Sequence, residues 1–188
     1  YRESIALADH VCAISEFTRR TLIEKLGVAP ERVTTTYLAA NDVFTQPPDA
    51  EMSHGVMRRY GLNEGTYLLF PGNTWPHKNH KVALRALREL KASYGLSPLL
   101  VCTGAAKHAH RDLLTEIVEL GLTEQVRFLG YCPPTDMPSL YRGAAALVFP
   151  SLFEGFGMPV VEAMWSECPV VCSNTTSLPE IAGDAALL

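Results

Sequence analysis

Several features that would direct a chain to a membrane, to nucleic acid or to an oxidising compartment are missing here. No apolar run approaches the roughly 20 residues of a membrane span, and no signal peptide is visible at the start. The net charge is −4 with acids and bases interspersed, so no broad basic surface favours nucleic acid or an anionic membrane. The five cysteines are odd in number, lack Cys-x-x-Cys spacing and lie mostly in apolar runs. We expect reduced thiols and a cytoplasmic location, including the cytoplasmic face of the membrane.

The length of the chain leaves room for one domain and part of another. It has 188 residues, of which 47% are hydrophobic, and a typical domain takes about 100–150 residues. The chain begins at Tyr1 without a methionine and stops inside an apolar run at Leu188. We interpret it as a fragment of a longer protein.

Strand-like and helical segments alternate through most of the chain. Residues 1–40 predict helix, strand, helix, strand, with Ser15 as the N-cap of a helix that ends at Gly27. The later apolar runs predict strands at 67–71, 99–103, 126–129, 144–149 and 170–173. Helical patterns fall at 52–60, 81–94, 111–120, 137–142 and 159–165, with a last start near 178. This alternation predicts an α/β fold, a parallel sheet covered by helices on both faces, with ligands at the carboxyl ends of the strands.

One stretch, Glu154 to Glu162, gives the main indication of function in this sequence. Gly155 and Gly157 allow a sharp turn and a close approach of ligand to the backbone. Pro159 suits the first turn of a helix, whose free N–H groups and dipole favour an anion such as phosphate. The two carboxylates only accept hydrogen bonds, so hydroxyl groups suit them better than phosphate does. A nucleotide sugar offers both a diphosphate and hydroxyls.

Glu154 and Glu162, with seven residues between them that include Gly-Phe-Gly-Met-Pro, resemble the paired-glutamate motif of retaining GT-B glycosyltransferases of family 4. The similarity runs through nearly all of the chain. It implies the Rossmann-like C-terminal lobe of a GT-B fold and transfer of a hexose from a nucleoside-diphosphate sugar to an acceptor hydroxyl, with retention. It further implies no cofactor beyond the donor substrate, no bound metal, and a place in glycan or polysaccharide biosynthesis.

The resemblance also implies a domain layout. Residues 1–41 would be the end of the acceptor-binding lobe, residues 42–65, which include Pro47 and Pro48, the connector between lobes, and residues 66–188 the donor-binding lobe, truncated at its C-terminus. A glycan or lipid-linked acceptor would bind through the missing lobe.

Lys78 is the first candidate catalytic residue, six residues after Gly72 at the end of a predicted strand. In the family the matching lysine holds the donor diphosphate, where a positioned cation stabilises the charge on the leaving group. Many relatives carry arginine where Asn73 stands, so one positive charge is missing, although Asn73 can still donate hydrogen bonds. The alternative, a solvated lysine at a helix start, is electrostatically unfavourable. The neighbouring histidines lack the carboxylate or thiol that would complete a metal site, and we expect them to be surface or local-structure residues.

The family assigns Glu162 to the donor ribose and Glu154, the second catalytic candidate, to the transferred sugar, with Gly155, Phe156, Gly157 and Met158 positioning it. The alternative for Glu162 is an acid that complements the helix dipole; against it, one acid among apolar helix residues is costly unless paired.

Three more loops match donor-binding positions. Gly104 and Tyr131 follow the next strands and would line the nucleotide pocket, with the base near Tyr131, although such loops are also ordinary turns. Ser177 and Leu178 belong to a loop whose amides would reach the diphosphate, or only to a hydroxyl-rich turn.

Two other enzyme classes and a non-enzymatic function are alternatives to a glycosyltransferase. A dinucleotide-dependent oxidoreductase needs a third Gly or Ala where Val160 stands, and that residue is not present. A nucleotide-sugar 2-epimerase of GT-B architecture stays open, as does a donor-binding fragment that is inactive alone.

Overall fold

The computed structural model describes residues 2–46 and 48–188. Tyr1, the first residue, and Pro47, in the predicted connector, lie outside the described residues. The described part contains a two-stranded and a five-stranded sheet, both parallel.

The smaller sheet belongs to the first 35 residues. Its elements in chain order are α1 (Arg2–Leu7), β1 (Val11–Ala13), α2 (Glu16–Leu26) and β2 (Val33–Thr35). The Ser15 side chain accepts a hydrogen bond from the backbone N–H of Thr18, and Gly27 ends α2 with φ 70°. Both predicted helix boundaries are therefore confirmed. A small core joins this unit, made by Ala13, Leu22, Val28 and Val33.

The larger sheet begins after two helices that pack against it. Its unit comprises α3 (Asp42–Thr45), α4 (Ala50–Tyr60), β3 (Tyr67–Pro71), α5 (His80–Tyr94), β4 (Leu99–Thr103), α6 (His110–Glu119), β5 (Val126–Gly130), α7 (Met137–Arg142), β6 (Ala146–Phe149), α8 (Met158–Trp165), β7 (Val170–Cys172) and α9 (Leu178–Ala182).

The strands of the larger sheet run in the order β5-β4-β3-β6-β7. The chain therefore reverses its direction of sheet growth between β3 and β6, and in open parallel sheets ligands bind at the carboxyl ends beside such a reversal. The loops that follow β3 and β6 contain Lys78 and Glu154 respectively.

Each face of this sheet has its own core. Helices α5 and α6 cover one face, with Leu84, Leu87 and Leu113 buried against Phe70 and Leu100. The opposite face packs against α4, α7 and α8. Helices on both faces are thus confirmed.

The region expected to connect two lobes is ordered helix over much of its length. Asp49 caps α4, and Phe44, Val56 and Met57 are buried in the core of the larger sheet. These residues pack as part of the larger unit, while the proposed boundaries at 41, 65 and 66 stay predictions. No helix in the ranges 2–46 and 48–188 is long and apolar enough to cross a membrane.

The sequence predicts reduced cysteines, and histidines that are surface or local-structure residues. All five cysteines are free; Cys12 is exposed and the other four are buried. His80 is not a surface residue: it is 3% exposed and its ring stacks on Phe70 with centroids 4.0 Å apart.

Candidate functional site

The loops at the carboxyl ends of β5, β4 and β3 are pressed together. The amide of Gly104 donates to the carbonyl oxygen of Gly130 (2.7 Å), and Gly72 donates to Thr103 (3.1 Å). Gly104 has φ +102°, and a Cβ there would lie 2.7 Å from the carbonyl carbon of Gly72. Only glycine allows this approach, because the backbone of the neighbouring loop fills the space of a side chain.

Asn73 joins the loop after β3 to the loop after β4. Its Oδ1 accepts a hydrogen bond from the amide of Ala105 at 2.6 Å. The side chain therefore orders the loop after β4. Its contact with a donor stays a prediction.

Lys78 reaches across the reversal of the sheet. The residue closes a short 3₁₀ turn, Pro76–Lys78, and its aliphatic stem passes over Gly72, where a Cβ would lie 3.6 Å from the lysine Cδ. The ammonium Nζ lies 2.6 Å from Oε1 of Glu154 and 5.0 Å from the centre of the Phe149 ring. The side chains of the pair are only 16% and 14% exposed, so the structure holds a partly desolvated ion pair here.

The loop after Glu154 is held by hydroxyl groups. The carbonyl oxygens of Glu154 and Phe156 accept from the hydroxyl of Ser177 at 3.0 and 2.8 Å. The carbonyl oxygen of Gly155 accepts from Ser15 at 2.7 Å. Gly157, with φ +113°, lies so close to Leu178 that a Cβ would meet its Cδ2 at 2.6 Å.

With their carbonyls occupied, these residues keep amide groups available. The N–H groups of Gly155, Phe156 and Gly157 donate to no residue that the structure describes. Met158 follows directly at the start of α8 and adds its own N–H, whereas Pro159 has no N–H and the N–H of Val160 donates to the carbonyl oxygen of Gly157 at 2.9 Å. Successive unpaired amides and a helix start favour a negatively charged or hydroxylic oxygen at this loop.

Ser177 and Leu178 support this loop from beneath. Both side chains are 0% exposed, and the hydroxyl of Ser177 is already used by the two carbonyl oxygens of the loop. The predicted contact of this segment with the diphosphate is therefore left to the backbone, and it stays a prediction.

Glu162 is paired with a tyrosine. Its Oε2 accepts from the hydroxyl of Tyr141 at 2.7 Å, and burial raises the pKa of the Glu162 carboxyl. Burial also raises the pKa of Tyr141, so this hydroxyl stays a donor. A carboxylate that is partly desolvated and carries a single donor is suited to accept hydroxyl hydrogens from a ligand.

Tyr131 follows Gly130 at the edge strand β5. Its side chain is 75% exposed, so it is accessible to a ligand, and its proposed proximity to a base stays a prediction. Within the part of the chain that is described, no group of three or more His, Cys, Asp or Glu side chains could hold a metal ion.

Four residues that contribute to this geometry were not singled out from the sequence. They are Tyr141, the partner of Glu162; Thr18 and Glu180, which join the first unit to the loop; and Thr176, whose Oγ1 accepts from the amide of Glu154 at 3.1 Å. No local spacing links these residues to their partners. Only Ser15 carried a signal, as an N-cap, and that signal did not indicate its contact with Gly155.

Comparisons of sequence show one consistent family. The family model described as "Glycosyl transferases group 1" matches residues 57–187. The O-antigen chain mannosyltransferase B of Escherichia coli is 37% identical over 99% of this chain and 49% of its own length. The D-inositol 3-phosphate glycosyltransferase of Thermobifida fusca is 33% identical over 96% of this chain and 43% of its own length. The chain thus spans about half the length of the curated relatives it matches.

Solved structures agree on the fold. Anabaena HepE, solved in complex with UDP and glucose, superposes with a TM-score of 0.78 at 22% identity, covering 96% of this chain and 50% of that protein. A glycosyltransferase from Rickettsia africae gives 0.80 at 19% identity, with 94% and 47% covered.

Proposed function

This chain belongs to the group 1 glycosyl transferases, and from that premise we propose that the whole protein moves a hexose from a nucleoside-diphosphate sugar to an acceptor hydroxyl with retention. The five-stranded sheet is the Rossmann-like C-terminal lobe of the GT-B fold. In our proposal this lobe binds the donor, and the acceptor binds against a second lobe. The relatives in O-antigen synthesis support a role in polysaccharide assembly.

The observation that carries the proposal is the placement of a cation beside unpaired amides. Lys78 and Glu154 meet where the sheet reverses, and the free N–H groups of Gly155 to Gly157 follow directly. Breaking the bond between the sugar C1 and the diphosphate oxygen places growing negative charge on the departing diphosphate. An ammonium group and oriented amides stabilise that charge without having to reorganise.

The steps follow from these positions. The diphosphate departs with the electron pair of the C1–O bond, and Lys78 and the amides stabilise it. The acceptor oxygen forms the new bond to C1 on the face that the diphosphate leaves, and the acceptor proton passes to the departing phosphate oxygen. Glu162 accepts hydrogen bonds from the ribose hydroxyls, and Glu154 orients the hexose once the ligand competes for Lys78.

No metal enters this proposal, because Lys78 and the loop amides supply the positive charge that the leaving group requires. The two named relatives and the protein from Rickettsia africae are glycosyltransferases by name, which gives the epimerase alternative no support. In this proposal the chain contains the donor-binding lobe but lacks most of the acceptor-binding lobe. We expect it to bind nucleotides but not to transfer sugar.

Calorimetric titration of the chain with UDP, GDP and ADP tests donor binding. We expect one of them to bind with micromolar to millimolar affinity, roughly −4 to −8 kcal/mol. Radiolabelled sugar transfer by the whole protein, with UDP-, GDP- and ADP-hexoses, tests the reaction. Absence of binding to every nucleotide, with the chain folded, would contradict the assignment of this lobe to the donor.

A further inference from the structure

The first unit of the chain contacts the loop that carries Glu154, and these contacts are specific. The Ser15 hydroxyl donates to the carbonyl oxygen of Gly155 at 2.7 Å, and the Thr18 hydroxyl is a second donor to the same oxygen at 3.2 Å. These residues are separated from Gly155 by 140 and 137 positions. Ser15 is fully buried, so its hydroxyl is shielded from exchange with water.

A second contact fixes α2 from the opposite direction. The Glu180 carboxylate accepts from the amides of Glu16 at 2.5 Å and Phe17 at 3.0 Å. The N–H groups of the first turn of α2 have no partner within the helix, and a carboxylate is favourable at this position. Glu180 lies on α9, directly after Ser177 and Leu178, which support the same loop. The start of α2 is therefore tied both to the loop and to the helix beneath it.

Side-chain packing completes the contact. The rings of Phe17 and Phe153 meet edge to face with centroids 5.8 Å apart, and the Tyr37 ring lies 6.3 Å from that of Phe156. A Cβ at Gly155 would touch Ile14 at 3.4 Å. The loop is thus enclosed between the two units of the chain.

We propose that Ser15, Thr18 and Glu180 are positioning residues: by holding the Gly155 carbonyl and the start of α2, they orient the amides of Gly155 to Gly157 toward the donor. A peptide group is planar, so fixing a carbonyl also fixes the direction of the next N–H. The carbonyl of Gly155 belongs to the same peptide as the N–H of Phe156. Docking of the first unit therefore sets the donor site in its binding geometry.

This inference rests on the proposed function, but part of it can be tested without nucleotide. Thr18→Val removes one hydroxyl donor while keeping the shape of the side chain, and Ser15→Ala removes the other. Loss of a hydrogen bond of ordinary strength should loosen the backbone of residues 154–157, with a fall of their amide order parameters from about 0.85 towards about 0.6. Glu180→Gln keeps one acceptor oxygen and should give a smaller fall in the same segment.

Three control variants separate positioning from general stability. Thr18→Ser keeps the hydroxyl and should restore the wild-type order parameters. Asp49→Ala removes the N-cap of α4, a helix remote in sequence from the loop, and reproduces the loss of an N-cap that Ser15→Ala also causes. Glu119→Gln changes an exposed acid on α6. Neither Asp49→Ala nor Glu119→Gln should alter the order parameters of residues 154–157.

Nucleotide affinity gives the second readout. Thr18→Val and Ser15→Ala should weaken binding of the nucleoside diphosphate that the wild-type chain prefers by roughly threefold to tenfold, while Thr18→Ser and Asp49→Ala should not. Unchanged order parameters in residues 154–157 would overturn the inference. Lower order parameters with unchanged affinity would overturn the positioning role too. If the wild-type chain binds no nucleotide, the proposed function fails, and the order parameters alone decide whether the contact holds the loop. If Ser15→Ala does not fold, Thr18→Val and Glu180→Gln decide the outcome.

Discussion

Replacing Lys78 by glutamine removes the cation of the ion pair and keeps most of the length of the side chain. Both partners are about 15% exposed, so Glu154 would be left as a largely desolvated carboxylate without its counter-ion. Removing one partner of a fully buried pair costs about 3–5 kcal/mol. Because this pair retains some solvent contact, we expect Lys78→Gln to lower the free energy of unfolding by about 2–3 kcal/mol.

The same change should weaken nucleotide binding. A hydrogen bond to a charged group contributes about 1.5–3 kcal/mol, which corresponds to roughly tenfold to hundredfold weaker binding of the preferred nucleoside diphosphate. Glu154→Gln should act in the opposite direction, because it releases Lys78 from its competing anion. We expect it to leave nucleotide affinity unchanged or to raise it by up to about tenfold, while transfer by the whole protein falls.

Calorimetry and urea denaturation of both single variants and of Lys78→Gln/Glu154→Gln provide the test. In the double variant no carboxylate is left unpaired, so stability should return towards the wild-type value while nucleotide affinity stays low. This separates the loss of the cation from a loss of folding. Lys78→Gln with wild-type affinity, or recovery of affinity in the double variant, would refute the role assigned to Lys78.

Three further predictions concern the stability of the chain, each measured by urea denaturation. Burial raises the pKa of Glu162, so the folded state holds its proton more tightly; the stability this confers is present below the unfolded pKa and is lost as the pH rises through the folded pKa. The free energy of unfolding of Glu162→Gln, relative to wild type, should therefore be higher at about pH 8 than at about pH 4, by about 1.4 kcal/mol per pKa unit. The same relative stability at both pH values would contradict this. Burial lowers the pKa of His80 from 6.5 to about 4, and its ring nitrogens have no partner in the described chain. His80→Leu should keep or raise the free energy of unfolding at neutral pH, and it should remove about 3 kcal/mol of the stability that wild type loses between pH 6.5 and 4. The exposed residue His54, changed to leucine, is the control. Gly104→Ala places a Cβ 2.7 Å from the backbone of Gly72 at φ +102° and should cost about 1–3 kcal/mol, whereas Gly55→Ala, in open space inside α4, should stabilise by about 0.5–1 kcal/mol.

Periodicity and apolar runs predict the larger unit well. The strands Tyr67–Pro71 and Leu99–Thr103 and the helix Met137–Arg142 have the predicted boundaries, because buried parallel strands are short apolar runs between turn residues. Strand β6 begins two residues later than predicted, since Ala144 and Ala145 belong to the turn after α7. The short helix α3 was not expected; Asn41 caps it and burial of Phe44 stabilises it.

The candidate site could be predicted only as separate loops. Glycines and polar residues after strand ends indicate a ligand edge, but the meeting of Lys78 and Glu154, 76 positions apart, depends on β6 pairing with β3. The partners of Glu162 and Gly155 likewise come from remote elements. Sequence spacing does not determine such contacts, because they follow from the order of strands in the sheet and from the docking of the first unit. His80 shows the converse case, a polar residue that packing places in the core.

The most direct test of the donor site is titration of the ¹⁵N-labelled chain with UDP, GDP and ADP, followed by amide chemical shifts. Our account predicts that the nucleotide that binds will shift the amides of Gly155, Phe156 and Gly157 together with that of Lys78, in a saturable manner and at a common affinity. Saturable binding that leaves these four amides unchanged and shifts residues elsewhere on the chain would contradict it.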